Sequence, residues 1–376
     1  MDEWSGIRSL HLVLTARCNL QCAYCFENKK SSKRMDWSVL RAGLDVALKY
    51  SGPEIEFIFS GGEPLLEMPL IQRAVDYVER HRPPALEARY SVLTNGTLLD
   101  EQSFSFLARH DVETQISFDG VPESQDLRSP GSFALLDGRL DHLRASHPGF
   151  YRRRLSLATV ITPQSLSNLP RSVAYFLGKG VQTVVLVPDF TATDGWHKAD
   201  IEHLDAVFSG IFDLSRRHYG ETGEIPLRIF RSPPRDPPAG THGRSLCGIM
   251  RGEKPAVDTD GQVFGCGAVV SSYQELPAAP VRGSLQKIRL GHIEDPRLPE
   301  RLANYRRLTR PVGLFDNKQH NWSSYGRCGD CKYLYDCSIC PVTIGYLPDN
   351  EDMNRVPDFP CAYNLVTFKY RAKFWT

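Results

Sequence analysis

Apolar and polar positions alternate between two periods along the first half of the chain. Leu10–Thr15 is a near-continuous apolar run and predicts a buried strand. Asp36 is placed to cap a helix running to about Lys49, with Leu40, Leu44 and Leu48 on one face. A second strand, Ile55–Ser60, ends in Gly61, Gly62 and Glu63, and a helical pattern covers Leu70–Glu79. Tyr90–Asn95 is a third strand ending at Gly96, followed by a helix from Asp100 to about His110. The fourth strand, Thr114–Phe118, ends at Asp119 and Gly120, and a helix returns over Ser132–Ala145. Leu155–Ile161 is the fifth strand, with a helix near Leu169–Leu177, and Thr183–Val187 the sixth, ending at Pro188.

Six repeats of strand then helix argue for an α/β fold with a parallel sheet and helices outside it. In a barrel of this kind the active site forms at the C-terminal ends of the strands. Cys18, Gly61, Gly62, Glu63, Asn95, Gly96, Asp119 and Gly120 all fall there. Periodicity by itself does not separate a barrel from a doubly wound sheet. Residues 200–219 read as one more helix, with Leu204, Val207, Ile211 and Leu214 spaced for a single face. The proline-rich stretch Ser232–Gly240 admits neither helix nor central strand and reads as a semi-rigid connector. The expected domains are therefore a core over 1–230 and a linker with a cysteine-rich domain over 231–376. Within the latter, Pro255–Phe264 reads as a hairpin with Asp260 and Gly261 at its turn, which would bring Cys247 and Cys266 together.

Composition narrows the class. The 376 residues are 41% apolar, an ordinary figure for a soluble protein, and no apolar run approaches the ~18 residues of a membrane span. The N-terminus lacks the basic start and apolar core of a signal peptide, so a cytoplasmic protein is expected. Net charge is +1, from 45 basic and 44 acidic residues, which gives no electrostatic case for nucleic acid or an anionic membrane as partner. The ten cysteines are uneven: three precede residue 26, none lies between there and Cys247, and seven follow. In a reducing compartment such clusters point to metal sites, one at each end of a cysteine-free scaffold, rather than to disulfides.

The N-terminal group is Cys18, Cys22 and Cys25, on a loop leaving the first strand. Such a loop can aim three thiolates at one point. Three ligands are one short of filling a four-iron cluster, leaving one iron open to bind something else. A zinc loop and reduced core cysteines are the competing readings of the triplet alone. The C-terminal group is Cys247, Cys266, the run Cys328, Cys331, Cys337 and Cys340, and finally Cys361. Pairs spaced by two residues also suit a zinc ribbon.

The triplet resembles that of the radical S-adenosylmethionine (SAM) enzymes. The resemblance implies a partial (β/α)6 TIM-type barrel whose open cluster iron chelates SAM, with reductive cleavage yielding a radical that removes a substrate hydrogen atom. It implies that Tyr24 packs near the adenine and that Gly61, Gly62 and Glu63 lie against the methionyl amino group. Ser117 and Asp119 resemble the family's ribose- and carboxylate-contacting residues. Arg128 is placed to pair with the SAM carboxylate, the alternative being a surface arginine. Val160 and Ile161 end the fifth strand, where family backbones contact the adenine and where a barrel core needs apolar residues in any case. The seven later cysteines resemble the SPASM extension, which carries two auxiliary clusters. By that resemblance Cys328, Cys331, Cys337 and Cys361 hold one, and Cys247, Cys266 and Cys340 the other, giving three [4Fe-4S] clusters in all. Two departures stand out. Residues 240–246 offer no eighth cysteine, which leaves an open iron, His242 or solvent to complete the second set. Two residues, not three, separate Cys337 from Cys340, which leaves their partition between clusters open.

SPASM enzymes mostly modify peptides or proteins. The expected function is a maturase of a ribosomally made precursor peptide that forms a carbon-carbon or thioether cross-link, with flavodoxin or ferredoxin as external electron donor. Cys18 arrives almost at once, so a leader peptide would be recognised by the core, the middle segment or another protein. Sulfatase-maturing relatives place an aspartate base directly after the second cysteine of the extension; here that residue is Gly267, which argues against formylglycine formation. Asp189, Asp194, Asp258 and Asp260 are unranked alternatives for a base, and the catalytic residue is unknown. The other readings are sulfatase-maturase-like or small-molecule oxidation, and a zinc-stabilised binding protein without catalysis.

Overall fold

The computed structural model describes residues 6–27, 29–189, 195–233, 252–272, 288–305, 321–334, 336–337, 352 and 354–376. In chain order its elements are β1 (Ile7–Thr15), α1 (Trp37–Tyr50), β2 (Ser51–Gly61), α2 (Met68–His81), β3 (Glu87–Thr94), α3 (Glu101–Arg109), β4 (Glu113–Ser117), α4 (Pro122–Gln125), α5 (Ser132–Ser146), α6 (Pro148–Arg154), β5 (Leu155–Ile161), α7 (Leu169–Gly178) and β6 (Val184–Pro188). There follow α8 (Lys198–Thr222), β7 (Ala256–Val257), β8 (Gln262–Phe264), β9 (Arg289–His292), α9 (Leu298–Ala303), β10 (Trp322–Ser323), β11 (Gly326–Arg327) and α10 (Asp358–Phe374). The alternation of strand and helix through β6 is the α/β pattern expected from the sequence. The chain divides into two compact units, one of residues 1–19, 25–115 and 246–314, the other of residues 20–24, 116–245 and 315–376. No helix among the described residues is long and apolar enough to cross a membrane.

In the first unit the strand order is β3-β2-β1-β7-β8-β9. β1 pairs with β2 and β2 with β3 in parallel, Leu10 opposite Phe57 and Phe57 opposite Tyr90. Leu10, Leu12, Phe57 and Phe59 are buried, as are Leu40 and Leu44 of α1 and Ile71, Val75 and Val78 of α2. Each such side chain contributes roughly 1.5–3 kcal/mol on burial. The alternate positions are polar: His11 hydrogen-bonds Ser60 through Nε2, and Ser91 donates to Glu56. α3 has a reciprocal cap, Ser103 N–H donating to the Asp100 carboxylate at 2.8 Å and Asp100 N–H to Ser103 Oγ at 3.4 Å. Asp36 stands at the N-cap of α1, but its side chain makes no capping hydrogen bond.

The expected hairpin is β7 and β8, antiparallel, with Gly261 at φ +82°, a conformation that favours glycine. Its first strand also joins β1 in parallel, His11 opposite Ala256. Nothing local in the sequence announces that pairing.

In the second unit β5 and β6 pair in parallel, and the backbone just past β4 joins β5, Phe118 N–H donating to Ala158 O at 3.0 Å. Phe118, Phe133, Tyr175 and Phe176 form an aromatic cluster with centroids 5.3–5.9 Å apart. α10 packs on α8: Phe208 meets Tyr363 edge-on, and Arg216 donates to Phe374 O at 2.9 Å.

Candidate functional site

The ends of β1, β2 and β3 converge around Cys18. Gly62 N–H donates to Thr15 O at 2.9 Å and Glu63 N–H to Arg17 O at 2.8 Å, so the chain leaving β2 is laced to the chain leaving β1. A Cβ on Gly61, at φ +129°, would stand 2.2 Å from Thr15 O, and one on Gly62 would stand 2.3 Å from Arg17 O and 3.0 Å from Cys18 Cβ. Only glycines allow this approach. Glu63 is fully buried, and its carboxylate accepts from Thr94 Oγ1 at 2.6 Å, Asn95 N–H at 2.7 Å and Leu65 N–H at 3.0 Å. Burial raises its pKa, against the pull of those three donors. Its carboxylate therefore binds β2 to β3. Asn95 reaches Cys18 Sγ at 3.9 Å and Asn19 Oδ1 at 2.9 Å. Cys25 Sγ donates to Glu27 O at 3.5 Å. Glu27 itself was not singled out by the sequence; burial pushes its carboxyl up to about 8, with Lys30 opposing and Glu63 adding.

In the second unit Tyr24, Asp119, Arg128 and Val160 form one network. Asp119, almost wholly buried, accepts from the Tyr24 hydroxyl, from Arg128 Nη2 at 2.9 Å and Nε at 3.3 Å, and from Val160 N–H at 2.8 Å. The Arg128 guanidinium also lies over the Tyr24 ring, 5.3 Å from its centroid. Burial raises the Tyr24 phenol pKa. Burial disfavours the Arg128 cation most, but Asp119, Tyr24 and Cys22 together outweigh it and the net shift is upward. Arg128 is thus an interior residue whose partner is Asp119. Ala23 N–H donates to Leu127 O at 2.9 Å, tying the stretch that carries Cys22 to the turn before Arg128. Ser117, half-buried, ends β4 just before this network.

The C-terminal quartet converges. Cys328, Cys331, Cys337 and Cys361 line one cavity of about 70 Å³, walled on its apolar side by Leu334, Leu365 and Phe368. None of the eight described cysteines forms a disulfide. Among the described residues no three cysteine, histidine or carboxylate groups are gathered to hold a metal ion. Four thiols lining one cavity are a donor set of the kind that holds an iron-sulfur cluster or a zinc ion. Cys18 itself stands against the backbone of Gly62.

Cys247, Cys340, His242 and Asp194 lie outside the described residues. Cys266 Sγ accepts from Ala268 N–H at 3.4 Å. A Cβ on the next residue, Gly267, would stand 2.8 Å from His11 Nδ1. Burial depresses the His11 pKa to about 4, so its ring is neutral. Of the aspartates considered as bases, Asp258 is buried and accepts from Thr259 and Ser272 N–H, and Asp260 accepts from Gln262 N–H in the hairpin turn. Both carboxylates are occupied in holding backbone. Asp189, buried at the end of β6, accepts at its carbonyl from Trp196 Nε1 at 2.7 Å.

Residues 12–149 match the radical SAM superfamily model. The chain is similar to the cysteine-type anaerobic sulfatase-maturating enzyme of Clostridium perfringens (strain 13 / Type A), 23% identical over 94% of its own length and 93% of that protein's. An uncharacterised protein of Methanocaldococcus jannaschii is 32% identical over 184 residues, 48% of this chain and 62% of that relative. Among solved structures, native anSMEcpe with bound AdoMet and Kp18Cys peptide superposes with a TM-score of 0.73 at 20% identity, covering 96% of each chain. That likeness shows the fold, a partial barrel of strand-helix units, as the sequence resemblance implied.

Proposed function

We propose that the chain is a radical SAM maturase that oxidises a residue of a ribosomally made peptide and joins it in a carbon-carbon or thioether cross-link. The observation that carries this reading is the ring of Cys328, Cys331, Cys337 and Cys361 around one cavity. A cross-link is a net two-electron oxidation, and hydrogen-atom removal accounts for one electron; a second redox group supplies the exit for the other. In this reading Cys18, Cys22 and Cys25 hold the SAM-binding cluster, and Cys247, Cys266 and Cys340 hold a further auxiliary cluster. Bound SAM and its cluster supply the hydrogen-abstracting radical. The backbone of Gly61 and Gly62 receives SAM, Glu63 fixes that backbone, and Asp119 with Arg128 fixes Tyr24 and Val160 around the adenosine. The precursor peptide is the substrate, a flavodoxin or ferredoxin the electron donor, and a reducing cytoplasm the setting.

The similarity to sulfatase maturases along the whole chain favours a second reading, formylglycine formation. Against it stands His11, whose ring fills the space a side chain at Gly267 needs. The test is to incubate the reduced, reconstituted protein with SAM and short peptides encoded beside the gene. Peptide-dependent 5'-deoxyadenosine and a product two hydrogen atoms lighter, inert to carbonyl reagents, are expected. A product trapped by hydrazide would establish formylglycine formation instead.

A further inference from the structure

α10 presents Cys361, Asn364, Phe368 and Arg371 at spacings of three, four and three residues, which places them on one face of the helix. Cys361, Asn364 and Phe368 line the quartet cavity. Arg371 pairs with Asp336 at 2.6 Å, an ion pair largely shielded from solvent, and so fixes the residue next to Cys337. The sulfurs of Cys361 and Cys337 receive hydrogen bonds from side chains that are not cysteines. Ser323 Oγ donates to Cys361 Sγ at 3.3 Å, and Asn364 Nδ2 donates to Cys337 Sγ at 3.6 Å. Neither donor is loosely held. Ser323 is buried in β10, and its Oγ accepts from Tyr325 N–H at 3.1 Å. Asn364 sits in the second turn of a 17-residue helix.

We propose that Ser323 and Asn364 set the reduction potential of the cluster held by Cys328, Cys331, Cys337 and Cys361, making it a better electron acceptor than the four thiolates alone would. This rests on the reading of that quartet as a cluster site. An iron-sulfur cluster gains one negative charge on reduction. Donor dipoles aimed at its sulfurs stabilise the more negative form and raise the potential. The electron comes from the oxidised substrate; no proton moves and no bond at the cluster breaks. Because the two bonds reach different sulfurs from different elements, their effects add.

The test is an EPR-monitored redox titration of the anaerobically reconstituted full chain. The signal lost in Cys331→Ala identifies the quartet's cluster. In Ser323→Ala and in Asn364→Leu the midpoint of that signal falls, further in the double variant, while the signal lost in Cys18→Ala keeps its midpoint. Ser323→Thr, which keeps the hydroxyl, restores the wild-type value. Iron content equal to wild type shows that each variant is folded and loaded. Unchanged midpoints with the cluster present overturn the inference and leave the cluster reading standing. Equal shifts in both signals also overturn it, as a global effect. Zinc in place of iron at the quartet overturns both.

Discussion

His11 shows how one polar residue on a sheet changes both chemistry and stability. Its ring, hydrogen-bonded to Ser60 and packed over Gly267, has a pKa lowered by burial from 6.5 to about 4. The unfolded chain therefore takes up this proton more readily than the folded one. Stability is flat above about pH 6.5 and is lost as pH falls toward the folded value. Between pH 7 and pH 5 the loss is about 2 kcal/mol. Denaturant midpoints of the wild type and of His11→Gln, measured at both pH values, check this: the variant is expected to lose about 2 kcal/mol less. Equal pH dependence of the two proteins would contradict it. Elsewhere, residues with motif neighbours were legible in the sequence, while the partners that give them a role were not. Asp119 and Arg128 stand nine residues apart and read singly, Asp119 as a ligand contact and Arg128 as a ligand contact or a surface arginine; their bond to one another exists only in the fold. Ser323 and Asn364 belong to no motif, and only the sulfurs beside them mark them out.

Among elements, the glycine contact between the ends of β1 and β2 packs directly against Cys18. A methyl group on Gly62 meets the Arg17 carbonyl at 2.3 Å and Cys18 Cβ at 3.0 Å, and neither belongs to a flexible side-chain end. Gly62→Ala is expected to move the Cys18 loop and lose about four iron atoms per chain, with far-ultraviolet circular dichroism unchanged. Full iron content in this variant would contradict the placement. The strands through β6 were legible because buried parallel strands carry apolar runs; β5 has the limits its sequence predicts. β2 starts earlier than its apolar run because Ser51–Glu54, polar in sequence, extend the strand beyond the core. β7 joins β1 across more than 240 residues, a pairing that no local pattern encodes. α10 escaped because it is buried on most of its circumference, from Phe359 through Phe374, so it shows no single apolar stripe.

At the scale of the molecule, the cysteine distribution carried the most information. A scaffold free of cysteines between Cys25 and Cys247 separates a three-thiol set from the later array. The radical SAM match covers the first set, and four members of the second ring one cavity. The central claim is that both ends hold iron-sulfur clusters, so that radical formation and electron exit occur in one chain. The most direct measurement is iron, sulfide and zinc per chain after anaerobic reconstitution. It compares wild type, Cys18→Ala/Cys22→Ala/Cys25→Ala and Cys328→Ala/Cys331→Ala/Cys337→Ala/Cys361→Ala. The account predicts about twelve irons in wild type and about eight in each variant. About four irons with zinc in wild type, unaffected by the C-terminal substitutions, would contradict it.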